Sequence, residues 1–203
     1  MATQLEKYEW CDFWWEETEK KDKPRVLMIG DSITRAYRPK VFQLIKDKAY
    51  VDMLATSKAI DNPSLVCEID YILGHEDFKY KIIHFNNGLH GWHISEEEYE
   101  KHLEAVVKHI LDNCKGAKLI LTLSTPVTVD GKKDVINTEL TAKVQNRNIA
   151  VVKIASKYML EIDDLYTPMF GKSELRVDDG YHYNETGEKV QAAIVADKIK
   201  SFL

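Results

Sequence analysis

The strongest constraint on the fold is a short apolar run that ends in a glycine and a serine. Residues 26–29 are all apolar and are followed by Gly30-Asp31-Ser32, after which apolar residues recur at helical spacing. Such a run predicts a short buried strand that ends at the glycine. Open α/β sheets bind ligands at the carboxyl ends of their strands, so this pattern places Ser32 where such a sheet holds its site. A cap at the start of the helix is the simpler role for Asp31 or Ser32.

The rest of the chain alternates between apolar strands and amphipathic helices. The further predicted strands are 50–54, 81–85, 117–123 and 159–162, and the helices are 62–73, 95–114, 138–158 and a last one that reaches residue 203. Pro39 suggests that the first helix proper begins there, because proline suits the first helical turn. This alternation predicts an α/β protein, a three-layer α/β/α sandwich of the flavodoxin-like type with a five-stranded parallel sheet.

Composition excludes several classes of partner. The 203 residues carry a formal charge of −5, so no basic stripe is available to bind nucleic acid. No apolar run approaches the length of a membrane span, and no signal peptide is visible at the N-terminus. Three cysteines lie far apart and outside any CxxC pair, as is typical of a reduced, cytoplasmic protein. A homo-oligomer is compatible with these features.

Residues 1–24 form an aromatic N-terminal arm ahead of a single domain, residues 25–203. Five aromatic side chains crowd into eight positions of the arm and are followed by a highly charged segment, 16–23. Large aromatic residues usually serve burial, which favours an arm that packs over the sheet or the helices. An aromatic wall for a substrate or a partner is the alternative.

A second motif lies near the other end of the chain, where Asp179 and His182 stand three residues apart in one predicted turn. A serine nucleophile needs a base, and that base needs an orienting carboxylate. Asp179 and His182 therefore form the natural complement to Ser32.

The two motifs together resemble the first and last motifs of the SGNH/GDSL hydrolase family. The matching residues are Gly30-Asp31-Ser32-Ile33 and Asp179-x-x-His182. The resemblance implies a flavodoxin-like α/β/α fold and hydrolysis of a small-molecule ester by Ser32, His182 and Asp179. No cofactor and no metal are expected.

The middle motifs depart from the family pattern, and they concern the oxyanion hole. Where the family usually has a glycine after the second strand, this chain has Ser57, with Lys58 as an alternative contributor. The third motif, Asn86-Asn87-Gly88-Leu89-His90-Gly91, puts His90 where the family has asparagine. The expected donors are the N–H groups of Ser32 and Ser57 with a side chain from either Asn87 or His90.

The resulting hypothesis is a serine hydrolase that removes short, acetyl-type acyl groups from a sugar or another small polar alcohol through an acyl-enzyme. One alternative is an acyltransferase with the same machinery, and another is a non-catalytic module that binds a phosphate or a flavin. A metal site of His90 and His93 with Asp31 or Asp179 is disfavoured, because its spacing matches no common zinc motif.

Two further segments carry expectations. The loop 124–133 follows the fourth strand and is expected to form a lid or pocket wall, folded as a hairpin about Asp130-Gly131. Arg147 interrupts the apolar pattern of its helix and is expected at the surface, with contact to a substrate anion as the alternative.

Overall fold

A computed structural model describes residues 4–75, 77–114 and 116–203 of the chain. The strands are β1 (Cys11–Trp14), β2 (Arg25–Gly30), β3 (Tyr50–Thr56), β4 (Tyr80–Phe85), β5 (Lys118–Leu123), β6 (Thr128–Val129), β7 (Lys132–Ile136) and β8 (Glu161–Asp164). The helices are α1 (Ser32–Ile45), α2 (Pro63–Leu73), α3 (Glu96–Asn113), α4 (Thr138–Tyr158), α5 (Tyr166–Met169) and α6 (Glu185–Lys200), with a 3-10 turn at Ser173–Leu175. Among the described residues, no helix is long and apolar enough to cross a bilayer.

The central sheet has six strands in the order β1-β3-β2-β4-β5-β8. β2 pairs in parallel with β3 on one side and with β4 on the other, and β5 and β8 continue the parallel pairing. The chain therefore changes direction across the sheet after β3. Ligands of such sheets bind at this kind of switch point, outside the carboxyl ends of the strands, and here it lies at the end of β2.

The sheet is covered on both faces, which confirms the predicted three layers. Alternate residues of β2 enter different cores: Leu27 and Ile29 join one cluster, and Val26 and Met28 join the other. The first cluster is closed by α2 and α3 and the second by α1 and α6, with α4 contributing to both. Because neither face meets water, β2 can be apolar at consecutive positions.

The sixth strand corrects the predicted count of five, and it comes from the N-terminal arm. β1 pairs antiparallel with β3, with Cys11 opposite Thr56 and Trp14 opposite Met53. Without the arm β3 would be an open edge, and its unpaired backbone groups favour a further strand. Of the arm's aromatic residues, Phe13 and Trp15 pack on the first core cluster. The arm is thus a strand of the sheet rather than a cover over it.

The start of α1 also differs from the expectation. The helix begins at Ser32, and Pro39 lies inside it. Asp31 caps the first turn by accepting a hydrogen bond from the backbone N–H of Ile33 at 2.9 Å, and Tyr37 and Val41 continue a buried face. The cap and this apolar face stabilise the first turn ahead of the proline, whose cost inside a helix is local.

Candidate active site

Ser32 lies at the junction of β2 and α1, as the first residue of the helix. Gly30 makes this tight junction possible, because a Cβ atom there would lie 2.1 Å from Oγ1 of Thr34. Asp31 is buried at the cap. Ser32 lies at the N-terminus of α1, where the positive end of the helix dipole favours negative charge.

The structure brings Ser32 together with the two residues of the distant motif. The Ser32 Oγ lies 2.7 Å from Nε2 of His182, and Nδ1 of the same ring lies 2.6 Å from Oδ2 of Asp179. Ser32 and His182 are 150 positions apart in the chain. The result is one continuous hydrogen-bonded relay from a hydroxyl through an imidazole to a carboxylate.

The carboxylate of Asp179 is held in this position by the backbone of the two residues that follow Gly180. Its Oδ1 accepts hydrogen bonds from the N–H groups of Tyr181 at 3.0 Å and His182 at 2.8 Å. Burial opposes ionisation of the carboxyl, but these bonds and the one from the His182 ring outweigh it and hold the pKa of Asp179 below its usual value. Asp179 therefore remains an anion that orients the imidazole.

The loop that carries Asp179 and His182 is supported by the hairpin β6–β7. The predicted hairpin about Asp130-Gly131 is present, but it packs on this loop. The N–H of Thr128 donates to the carbonyl of Gly180 at 2.9 Å. Gly180 has a φ of +84°, and a Cβ there would lie 2.8 Å from the Thr128 carbonyl oxygen, so only glycine suits the position. The hairpin thus positions the base.

The buried side chain of Arg176 also holds the loop that carries Asp179 and His182. Its Nη1 donates to the Gly180 carbonyl at 3.3 Å, and its Nη2 donates to the Tyr183 hydroxyl at 2.7 Å and to the carbonyl of Pro126. The guanidinium therefore ties the base-carrying loop to the segment after β5.

A cleft of about 270 Å³ opens over Ser32. Its wall combines apolar side chains with polar and aromatic ones: Glu6, Asp31, Ile33, Leu89, His90, Trp92, Tyr181 and His182. Glu6 belongs to the N-terminal arm, whereas the aromatic residues of the arm are absent from this wall. The aromatic wall considered for the arm is therefore not part of the cleft.

Ser57 does not reach this site, contrary to the expectation for the oxyanion hole. Its N–H donates to the carbonyl of Trp10 in the arm at 3.1 Å, and its hydroxyl bonds to Glu9 and Trp10. Lys58, the alternative contributor, pairs with Glu9 at 2.6 Å instead of facing the cleft. Both groups are used to dock the arm, because β1 pairs with the carboxyl-terminal half of β3 and the arm continues past Ser57 and Lys58.

Asn87 and His90, the two candidate side-chain donors, have different surroundings. The Asn87 Nδ2 donates to the carbonyl of Lys58 at 2.8 Å, so this side chain bridges two loops beside the cleft. His90 lines the cleft beside Ser32. Of the two candidate side chains, His90 is the one that a bound ligand can meet.

Arg147 is a residue whose importance sequence reasoning missed. It is fully buried rather than at the surface, and its guanidinium donates to the carbonyls of Gly88 at 3.2 Å, His90 at 2.7 Å and Gly91 at 2.7 Å. It also stacks on Trp92, with 4.6 Å between the guanidinium carbon and the ring centroid. Arg147 holds the backbone of the loop that presents His90. The polar run 145–148 inside an otherwise apolar helix was the available signal.

The metal site considered from the sequence does not assemble. His93 pairs with Asp61 through Nε2 and Oδ2 at 2.9 Å. In the described ranges, no group of three histidine, cysteine or acidic side chains is arranged to hold an ion.

Comparisons with known proteins identify the fold. No family model and no curated protein matches the sequence. A GDSL-like lipase from Bacteroides thetaiotaomicron aligns at 16% identity with a TM-score of 0.68, over 92% of this chain and 95% of that one. A carbohydrate acetylesterase from Sinorhizobium meliloti aligns at 13% identity and a TM-score of 0.69, over 89% and 100% of the two chains. An acetyl xylan esterase gives 18% identity and a TM-score of 0.70, over 86% and 99%. These likenesses confirm the predicted fold.

Proposed function

We propose that this chain is a carboxylic ester hydrolase of the SGNH/GDSL type, in which Ser32 is the nucleophile, His182 the general base and Asp179 the orienting carboxylate. The observation that carries the proposal is the relay of 2.7 Å and 2.6 Å contacts from Ser32 through His182 to Asp179. A nucleophile hydrogen-bonded to a base, which is itself oriented by a third group, is the signature of nucleophilic catalysis.

Each residue has one role in the mechanism. Nε2 of His182 takes the proton from Ser32 as Oγ attacks the ester carbonyl, and the new bond drives electrons onto the carbonyl oxygen. The N–H of Ser32 and the side chain of His90 stabilise that oxyanion. When the tetrahedral intermediate collapses, His182 protonates the departing alcohol and leaves an acyl-enzyme.

Deacylation uses the same groups with water in place of the alcohol. His182 takes a proton from a water molecule that attacks the acyl carbon, the acid leaves, and Ser32 recovers its proton. Asp179 stays ionised throughout and stabilises the imidazolium that forms in each half of the cycle. The lowered pKa of Asp179 supports this role.

The cleft favours a short acyl group on a polar alcohol. Its volume of about 270 Å³ lies just below the range typical of drug-sized ligands, and Ile33 and Leu89 supply its apolar part. Trp92 and Tyr181 offer aromatic surface with polar edges to the alcohol portion. Two of the structural neighbours are described as acetylesterases of carbohydrate substrates, which supports acetyl esters of a sugar or a similar polyol.

A phosphate- or flavin-binding module is the weaker alternative. The loop after β2 has a single glycine and no serine- or threonine-rich segment that would cradle a phosphate group. An acyltransferase shares the machinery, and product analysis with an added alcohol acceptor separates transfer from hydrolysis.

The test is hydrolysis of p-nitrophenyl acetate and p-nitrophenyl octanoate by the wild type and by Ser32→Ala. We expect kcat/KM on the acetate to fall by roughly three orders of magnitude or more in Ser32→Ala, and wild type to prefer the acetate. Ser156→Ala is the matched control, since Ser156 is exposed on α4. Equal rates for wild type and Ser32→Ala would refute the nucleophile and, with it, the proposed function.

A further inference from the structure

The N-terminal arm places a carboxylate inside the cleft, against the residue assigned to the oxyanion. The Glu6 Oε1 lies 3.4 Å from Nδ1 of His90, and the same oxygen accepts a hydrogen bond from the backbone N–H of Gly91 at 3.0 Å. Two neighbouring contacts, one from a ring and one from the backbone, hold Glu6 in the cleft.

The arm is docked firmly enough to hold that carboxylate in place. Glu9 pairs with Lys58 at 2.6 Å, the Trp10 N–H donates to Oγ of Ser57 at 2.8 Å, and β1 follows directly with its pairing to β3. The position of Glu6 is thus set by a strand of the sheet that begins five residues later.

The two nitrogens of the His90 ring must both carry a proton if one is to face Glu6 and the other is to donate to the oxyanion. A neutral imidazole carries one N–H and one lone pair, and an imidazolium carries two N–H groups. Because Nδ1 lies 3.4 Å from the Glu6 carboxylate, the proton belongs on Nδ1, where it faces the negative charge. A neutral ring would then present only a lone pair at Nε2, which repels an oxyanion. Donation from Nε2 requires the second proton.

The charges around His90 favour that second proton. Burial acts against it, but the hydrogen bond to Glu6 and the negative charges of Asp31, Glu6 and Glu9 outweigh burial and raise the pKa of His90 above its ordinary value. Two basic groups oppose them. Arg147 of α4 donates to the His90 carbonyl, and His182 lies across the same cleft.

We propose that Glu6 is a positioning residue that keeps His90 doubly protonated, so that the oxyanion hole contains a cationic donor in place of the neutral asparagine side chain. This inference rests on the proposed esterase function for the role of His90, although the charge state of the ring is independent of it. One consequence is that the enzyme needs two histidines in opposite states: His182 neutral as the base and His90 charged as the donor.

A donor that needs its second proton makes the rate depend on pH. The rate falls at alkaline pH as His90 loses that proton. Because Glu6 raises the pKa of His90, the Glu6→Gln substitution lowers it and moves the alkaline fall to lower pH by about one unit. His90→Asn removes that fall altogether, because an amide donates at every pH used.

The deciding experiment is a titration of the histidine ring signals by ¹H–¹³C NMR in the full-length protein. The signal of His90 is the one missing from His90→Asn, which assigns it among the seven histidines of the chain. We expect His90 to titrate above about 6.5, the usual value for histidine, and to titrate about one pH unit lower in Glu6→Gln. Glu9→Gln is the matched control, because it loosens the arm at Lys58 without removing the carboxylate at His90. We expect a smaller shift in Glu9→Gln.

The outcomes separate this inference from the proposed function. A wild-type His90 that titrates at or below the usual value, or that is unmoved in Glu6→Gln, would overturn the inference even in an active enzyme. The inference is supported if, in Glu6→Gln, the alkaline fall of the rate moves to lower pH together with the NMR titration of His90. If Glu6→Gln lowers kcat equally at every pH, Glu6 merely supports the structure. If wild type hydrolyses no ester, the proposed function and the oxyanion role fail together, while the titration still decides the charge of His90.

Discussion

Replacing Arg147 with methionine tests whether one buried cation holds the loop that presents His90. The guanidinium donates to three carbonyl oxygens in that loop, those of Gly88, His90 and Gly91. It is also paired with Glu96, with Nε and Oε2 3.3 Å apart. Methionine fills much of the same volume beside the Trp92 ring but has no hydrogen-bond donor.

The cost of this substitution follows from the groups left behind. A buried carbonyl that loses its partner costs about 1–3 kcal/mol. Three such carbonyls give a sum of roughly 3–9 kcal/mol, and the sum falls toward its lower end where the carbonyls relax or regain water. Methionine carries no charge, so the free energy that burial of the guanidinium costs the wild type is absent from the variant. The loss of stability is therefore smaller than the sum for three unpaired carbonyls. We therefore expect the free energy of unfolding to fall by about 3–5 kcal/mol in Arg147→Met.

Urea unfolding followed by tryptophan fluorescence measures this change, with esterase activity recorded on the same samples. Lys153→Met is the control, because Lys153 lies on the same helix but is exposed and pairs with Glu100 at the surface. That exposed substitution should change the free energy of unfolding by less than about 0.5 kcal/mol. An Arg147→Met protein as stable as this control would refute the role assigned to Arg147.

Two further predictions concern the relay and the turn beneath it. Asp179→Asn should keep the fold, because the amide oxygen can still accept hydrogen bonds from the backbone. It should lower kcat by about 10⁴-fold, as the equivalent substitution does in trypsin, because His182 loses its correct tautomer. A tenfold loss or less in stopped-flow ester hydrolysis would contradict this. Gly30→Ala should push α1 away from β2, because its Cβ would lie 2.1 Å from Thr34 Oγ1. We expect a lower melting temperature together with lost activity, and a fully active, equally stable variant would disprove the clash.

The sequence predicted most of the fold because the signals that define it are local. Buried strands and amphipathic helices depend on the spacing of apolar residues along a single segment, and α4 begins and ends where that spacing indicated. β1 was not recognised as a strand, because its partner is the edge of β3, about 40 residues away. The prediction that the first helix begins at Pro39 was wrong for a related reason. Packing of α1 on the second core cluster outweighed the local preference of proline for the first helical turn.

The candidate site shows the same difference between local motifs and long-range contacts. Ser32, Asp179 and His182 could be named in advance because each lies in a short motif with a recognisable turn, and their geometry is consistent with the roles predicted for them. Ser57 was wrong, since its N–H is taken by Trp10 of the arm. No local pattern reveals that a backbone N–H is already bonded to a distant carbonyl.

The sequence by itself determined a strand, a glycine turn and a capped helix that carry Ser32, and a tight turn in which Asp179 can hold the ring of His182. Only the tertiary structure showed which of the two candidate side chains lines the cleft and which charged groups surround it. His90 is presented by Arg147, which is 57 positions away, and faces Glu6, which is 84 positions away by residue number. Hydrogen bonds within a turn follow from neighbouring residues, whereas a buried cation and a carboxylate from the arm act on His90 only after the sheet has brought them together.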